Sequence, residues 1–155
     1  MSAERGALLV AIQLATKRGG VPAPRSLRRY AQCAYAALRR RPARLTLRIV
    51  GGTEGRRLNR RWRARDKATN VLSFPHPVLP GVRPPVLGDI VLCAPVIARE
   101  ARARGIPPPA HWAHLVTHGV LHLLAHTHER ADDTRRMQAL ERRVLAVMGF
   151  PDPYA

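Results

Sequence analysis

The sequence predicts an α+β fold: one mixed four-stranded β-sheet packed with helices. Period-two alternation, clearest in Leu45-Thr46-Leu47-Arg48-Ile49-Val50, marks half-buried strands. Apolar residues at three- and four-residue spacing, as in Leu27, Tyr30, Ala31, Ala34, Tyr35 and Leu38, mark amphipathic helices. The two kinds of segment interleave as β-α-β-α-β-β-α-α-α, the pattern of one sheet covered by helices. With 155 residues, 46% of them hydrophobic, the chain can bury an adequate core as one domain.

The first strand runs from Leu8 to Leu14 and ends before the Gly19-Gly20 break. The first helix starts at Pro24 or Ser26 and continues to Arg41, where Pro42 closes it; the run Arg39-Arg40-Arg41 suits the negative end of the helix dipole. Residues 45–50 form the second strand. Thr53 then caps a short basic helix reaching about Trp62, and Val71 to Phe74 is the third strand. A proline-rich loop, His76 to Pro85, is expected to be a mobile surface segment. Leu87 to Cys93 is the fourth strand, with Asp89 as an acid that reads as buried and structural. Pro95 to Arg104 is a helix ended by Gly105 and three successive prolines. Ala110 to about Leu124 is the next helix, and Asp132 to Met148 the last, with Met137, Leu140, Val144, Leu145 and Met148 inward and Gly149 as its stop.

Two cysteines, Cys33 and Cys93, sit in separate apolar stretches, so neither a disulfide framework nor a C-x-x-C metal motif is available. The run from Gly6 to Ala15 is interrupted by Gln13 and falls well short of the ~20 apolar residues of a membrane span. A cytoplasmic protein with no membrane partner is expected. Lysine and arginine number 27, only Lys17 and Lys67 being lysines, against ten acids, for a net charge of +17. A field of that sign favours polyanions, nucleic acid first among them.

Six of the seven histidines fall within the eighteen residues from His111 to His128. His114, His118, His122 and His126 recur every fourth residue and so form one stripe on a helix. Neutral imidazole is the commonest protein ligand for divalent metals, and all-histidine ligation with an open position is a catalytic style of zinc, although other divalent ions accept imidazole. Spacing alone leaves the pairs His114/His118, His118/His122 and His122/His126 equivalent. A third ligand is needed, and His128 is the economical source if the chain turns between Leu124 and His128. A continuous helix would carry it ~15 Å along the axis from His118. The segment is a zincin-like histidine helix with one difference: Gly119 stands where the H-E-x-x-H metalloproteases have their glutamate base, which argues against peptide hydrolysis.

Several segments together resemble one family. HGVLHLLAHTH resembles the H-G-x-L-H-L-x-G-Y-D-H signature of the YbeY proteins, bacterial metal-dependent endoribonucleases implicated in ribosomal RNA maturation. Leu58 to Pro75, LNRRWRARDKATNVLSFP, is similar to that family's L-N-x-x-Y-R-x-x-D-x-P-T-[DN]-V-L-S-F-P segment, and LGDIVLC and MGFPDPY resemble further landmarks. The resemblance implies a single metallohydrolase domain over residues 1–155. It implies His118, His122 and His128 as ligands of one Zn2+ or other divalent ion, and Arg63 on the scissile phosphate, these four forming the catalytic set. The partners it implies are ribosomal RNA precursors and the ribosome or its proteins. His114 is expected to line the pocket or stand behind the ligands, and Thr69 and Ser73 to line the cleft through their hydroxyls. The expected activity is cleavage of single-stranded RNA in ribosomal RNA maturation and ribosome quality control. The alternatives are a non-catalytic RNA- or ribosome-binding assembly factor with a structural metal, and a small-molecule metallohydrolase.

Ala68 replaces the family's proline, and three departures fall inside the signature: Ala125 for glycine, His126 for tyrosine and Thr127 for aspartate. Alanine in a left-handed helix end costs on the order of 1 kcal/mol. Loss of a carboxylate that orients a ligand lowers metal affinity by roughly 10- to 100-fold. His126 is a competing imidazole.

Overall fold

The computed structural model describes residues 7–63, 70–77, 79–125 and 131–155, with backbone alone at residues 62, 63, 125 and 131–133. Among the described residues, nine elements follow one another: β1 (Leu8–Ala15), α1 (Pro24–Ala36), β2 (Ala43–Val50), α2 (Gly52–Arg63), β3 (Val71–Pro75), β4 (Val86–Cys93), α3 (Ala94–Arg104), α4 (Pro108–Ala125) and α5 (Ala131–Val147). The strands form one sheet in the order β1-β2-β4-β3. β1 and β4 both run parallel to β2, and β3 runs antiparallel to β4, so the expected mixed α+β architecture is the observed one.

Alternation decides which face of the sheet is thickly covered. Leu45, Leu47 and Ile49 of β2 share a face with Leu8 and Val10 of β1 and with Ile90 and Leu92 of β4. Against them pack Leu27, Tyr30, Ala31 and Ala34 of α1, Val116 and Val120 of α4, and Val144 and Leu145 of α5. On the other face a smaller cluster joins Val50, Leu72, Val91, Cys93 and Val96, with Leu58 of α2 against it. Asp89 lies on this thinner side, between Thr46 and Phe74 in register. Its side chain is therefore half-exposed rather than buried, and its carboxylate accepts from His76 Nε2 at 3.0 Å.

β1 is an edge strand, and α1 covers part of that edge. Arg28 Nε donates to Val10 O at 3.2 Å, and Gln32 Nε2 to Leu8 O at 3.1 Å. α1 itself stops at Ala36, short of the expected Arg41. The carbonyl of Tyr35 accepts the N–H groups of both Leu38 and Arg39, which tightens the chain into a turn, and the Tyr35 hydroxyl donates to Arg41 O. Among the described residues, no helix is long and apolar enough to cross a membrane.

Candidate metal centre

The histidine helix α4 begins directly on prolines 108 and 109, where fixed φ and missing N–H groups cost a first helical turn nothing. Its approach to the sheet is set by Gly119: a Cβ there would lie 2.9 Å from Ile90 Cγ2 of β4, closer than real contacts allow. Ser73 of β3 adds a tie, its hydroxyl donating to Gly119 O at 3.5 Å, so this side chain joins strand to helix. His114, His118 and His122 fall on one stripe as the four-residue spacing requires, with ring centroids 6.5 Å apart for His114 and His118 and 5.8 Å for His118 and His122.

Acidic partners break the equivalence of that stripe. His111 is buried with Nε2 2.8 Å from Glu100 Oε1, an oxygen that also accepts Asn70 Nδ2 at 3.1 Å. His114 Nε2 lies 2.9 Å, and His118 Nδ1 3.0 Å, from the same oxygen, Oε2 of Glu141. The Tyr154 hydroxyl donates to the other oxygen, Oε1, at 2.6 Å. Burial alone raises the pKa of Glu141, but the hydrogen bonds from His114, His118 and Tyr154 and the charge of His118 outweigh it and bring the carboxyl down to about 2. The same contact works in reverse on Tyr154, whose phenol is pushed up by burial and by Glu141.

An ionised carboxylate only accepts hydrogen bonds, so His114 meets Glu141 through Nε2–H and His118 through Nδ1–H. Among the described residues, that leaves Nε2 of the partly exposed His118 side chain as its uncommitted nitrogen. His118 and His122 line a cavity of about 120 Å³ with Thr134, Met137, Gln138, Glu141 and Tyr154. Two imidazole side chains on adjacent turns, one of them backed by a carboxylate, suit a divalent ion that accepts imidazole. Among the described residues, no group of three or more His, Cys, Asp or Glu side chains is arranged to hold a metal. His128, the expected third ligand, lies outside the described residues, as do His126, Thr127 and Thr69. Arg63 is the last residue of α2, and its side chain is likewise outside the description.

Glu141 and Tyr154 carry no role in the sequence reading. A signal for Glu141 was present, because it falls four residues after Met137 and three before Val144, inside the apolar stripe of α5, and it is fully buried there. Tyr154 arrives by a hooked tail. Gly149, at φ 86°, ends α5, Arg142 Nε meets the Asp152 carboxylate at 3.1 Å, and Asp152 Oδ1 accepts the Tyr154 N–H at 2.8 Å. Arg104 fastens the hook from α3 by donating to Pro153 O at 3.1 Å.

On the other side of the sheet, α2 exposes Arg56, Arg57, Arg60 and Arg61, while Gly55 and Asn59 face inward. Thr53, Arg56, Arg57 and Arg60 line a shallow cavity of about 250 Å³. This helix ends at Arg63, so a basic ridge leads up to the position where the phosphate-binding arginine is expected.

The family model described as Endoribonuclease YbeY matches residues 24–149. Among curated relatives, the Endoribonuclease YbeY of Alkalilimnicola ehrlichii is 52% identical over 140 residues, covering 88% of this chain and 84% of that protein. The Endoribonuclease YbeY of Stenotrophomonas maltophilia strain K279a is 51% identical over 150 residues, 94% of this chain and 92% of that protein. The solution structure of TM1509 from Thermotoga maritima shares the fold, with a TM-score of 0.59 at 20% identity over 91% of this chain and 92% of that one. With a family model matching most of its length and relatives about half identical across nearly all of it, this chain belongs to the endoribonuclease YbeY family.

Proposed function

We propose that this chain is a metal-dependent endoribonuclease that cuts single-stranded segments of ribosomal RNA precursors and of defective ribosomes in the cytoplasm. The observation that carries the reading is the pairing of His118 and His122 over one small cavity, with Nδ1 of His118 already committed to Glu141. His118 and His122 would hold the ion with His128, and the ion is zinc or another divalent metal that accepts imidazole. Such an ion supplies Lewis-acid chemistry, lowering the pKa of water and offsetting charge on a phosphoryl oxygen.

The protein's own residues do the rest. Arg63 grips the scissile phosphate through its two-pronged guanidinium and stabilises the charge that builds on it in the transition state. The arginines of α2 attract the RNA backbone and hold it near Arg63. The net charge of +17 supports a polyanionic substrate, and Gly119 offers no carboxylate for a peptidase mechanism.

The test is single-turnover cleavage of structured ribosomal RNA by purified protein, comparing wild type with Arg63→Ala and His122→Ala. Faster cleavage by the wild type than by either variant is expected, with RNA binding largely retained by Arg63→Ala. Equal rates with retained binding would instead favour an RNA- or ribosome-binding assembly factor. Cleavage indifferent to competing polyanions would favour a small-molecule hydrolase.

A further inference from the structure

Glu141 has no exposed surface, and its neighbours along the inner face of α5 are apolar. A buried carboxylate is costly unless its oxygens are fully satisfied. Here both are: Oε2 accepts from His114 and His118, and Oε1 from Tyr154. Rotating the carboxylate would break at least one of these contacts, so its orientation is fixed. Among the described residues, every donor that satisfies it lies on the histidine stripe or on the tail that closes over that stripe.

We propose that Glu141 is a positioning residue that holds His118 as its Nδ1–H tautomer, presenting Nε2 to a divalent ion, and that Tyr154 fixes Glu141 for this task. A neutral imidazole carries its proton on either nitrogen, and the hydrogen bond made by one nitrogen decides what the other offers. Without an acceptor at Nδ1, part of the population carries the proton on Nε2 and must lose or move it before binding. Carboxylate partners of ligating histidines have this effect in metal sites generally. His114 shares the oxygen but stands behind the ligand, because its Nε2 is spent on Glu141 and its Nδ1 is buried with no hydrogen-bond partner among the described residues.

Tyr154 is placed for its part with some care. Its backbone N–H is held by Asp152, and its ring stands edge-on to His114 at 5.4 Å and 85°. The Arg142 guanidinium lies 5.3 Å from the ring centroid. The tail therefore aims one hydroxyl at one carboxylate oxygen, which removes the rotational freedom that Glu141 would otherwise have.

The inference rests on the proposed role of His118 as a metal ligand, and the experiment separates the two. Zn2+ affinity of the full chain is measured by competition with a chromophoric chelator for wild type, Glu141→Gln, Tyr154→Phe and His122→Ala. In parallel, the His118 tautomer is read from imidazole nitrogen shifts in the metal-free protein above the histidine titration range. Glu141→Gln should weaken Zn2+ binding roughly 10- to 100-fold and turn a single Nδ1–H tautomer into a mixture. Tyr154→Phe should weaken binding roughly 3- to 10-fold, since it loosens the carboxylate without removing it. A folded Glu141→Gln protein with a lower melting temperature but wild-type Zn2+ affinity and tautomer would mean a purely structural role and overturn the inference. Should Glu141→Gln fail to fold, Tyr154→Phe decides, and wild-type affinity there overturns it. Wild-type Zn2+ binding by His122→Ala would instead sink the proposed metal site itself.

Discussion

His118 Nδ1 lies 3.0 Å from Oε2 of Glu141, a side chain that reaches the histidine helix from the inner face of the closing helix. The contact joins two elements that a reading of the sequence treats separately, and it makes one charged group answerable to both the stability of the fold and the state of a candidate ligand.

The stability side has a definite dependence on pH. Glu141 is held at about 2, below the ordinary value of 4.5, so its ionised form stabilises the folded chain. That contribution is complete above roughly pH 4.5 and is lost as the pH falls towards about 2, and it amounts to on the order of 3 kcal/mol. Urea unfolding in the presence of a chelator, at pH 7 and at pH 3, should show wild type losing more stability over that interval than Glu141→Gln. Equal losses in the two proteins would mean that the carboxylate is not held as low as its contacts imply.

The buried imidazole of His111 depends on a different acid. Glu100→Ala removes the acceptor of His111 Nε2 and of Asn70 Nδ2 together, and His111 Nδ1 already has no hydrogen-bond partner among the described residues. Stranding buried polar groups costs roughly 1–3 kcal/mol, so the urea midpoint should fall clearly. Glu100→Gln, which keeps an acceptor oxygen, should lose less than half as much. If the two variants unfold alike, the hydrogen bonds to Glu100 contribute little.

For Arg63, the comparison of interest is between charge and shape. Arg63→Lys keeps the charge and discards the planar fork, so single-turnover cleavage should drop by roughly 10- to 100-fold, with Arg63→Ala lower still by about another factor of 10. RNA affinity, by contrast, should change only a few-fold in both. Full cleavage by Arg63→Lys would reduce this residue to a general positive charge.

The exposed arginines of α2 predict a salt effect. Arg57→Gln and Arg60→Gln should each weaken RNA binding similarly for unrelated sequences and lower the slope of log affinity against log salt by roughly 1. Filter binding over a range of potassium chloride concentrations measures this directly. An unchanged slope would remove α2 from the RNA-binding surface.

The order and type of the elements were legible in the sequence because each rests on local periodicity, and the strand Leu45–Val50 alternates in the structure as its residues require. The helix α1 ended early because its stop is made by the Tyr35 carbonyl and hydroxyl, contacts to the backbone that a pattern of apolar residues does not encode. Asp89 looked buried because its strand is apolar, but which face of a sheet is thinly covered depends on where distant helices pack. At the candidate site, the spacing of His118 and His122 was readable as a shared stripe. The difference between His114 and His118 was not, since it comes from Glu141 and Tyr154, placed by the last helix and the tail.

The close approach of Gly119 to Ile90 also bears on how such helices can change over evolutionary time. An H-E-x-x-H peptidase helix and this one differ by a single residue on paper. Here the first atom of any side chain at position 119 would meet β4, 2.9 Å from Ile90, so a glutamate acquired there would be directed into the sheet rather than the cleft. Passing from one chemistry to the other therefore demands that the Ile90 side chain or the spacing of helix and strand change as well, and a one-step change of codon leads to a misfit core before it leads to a protease.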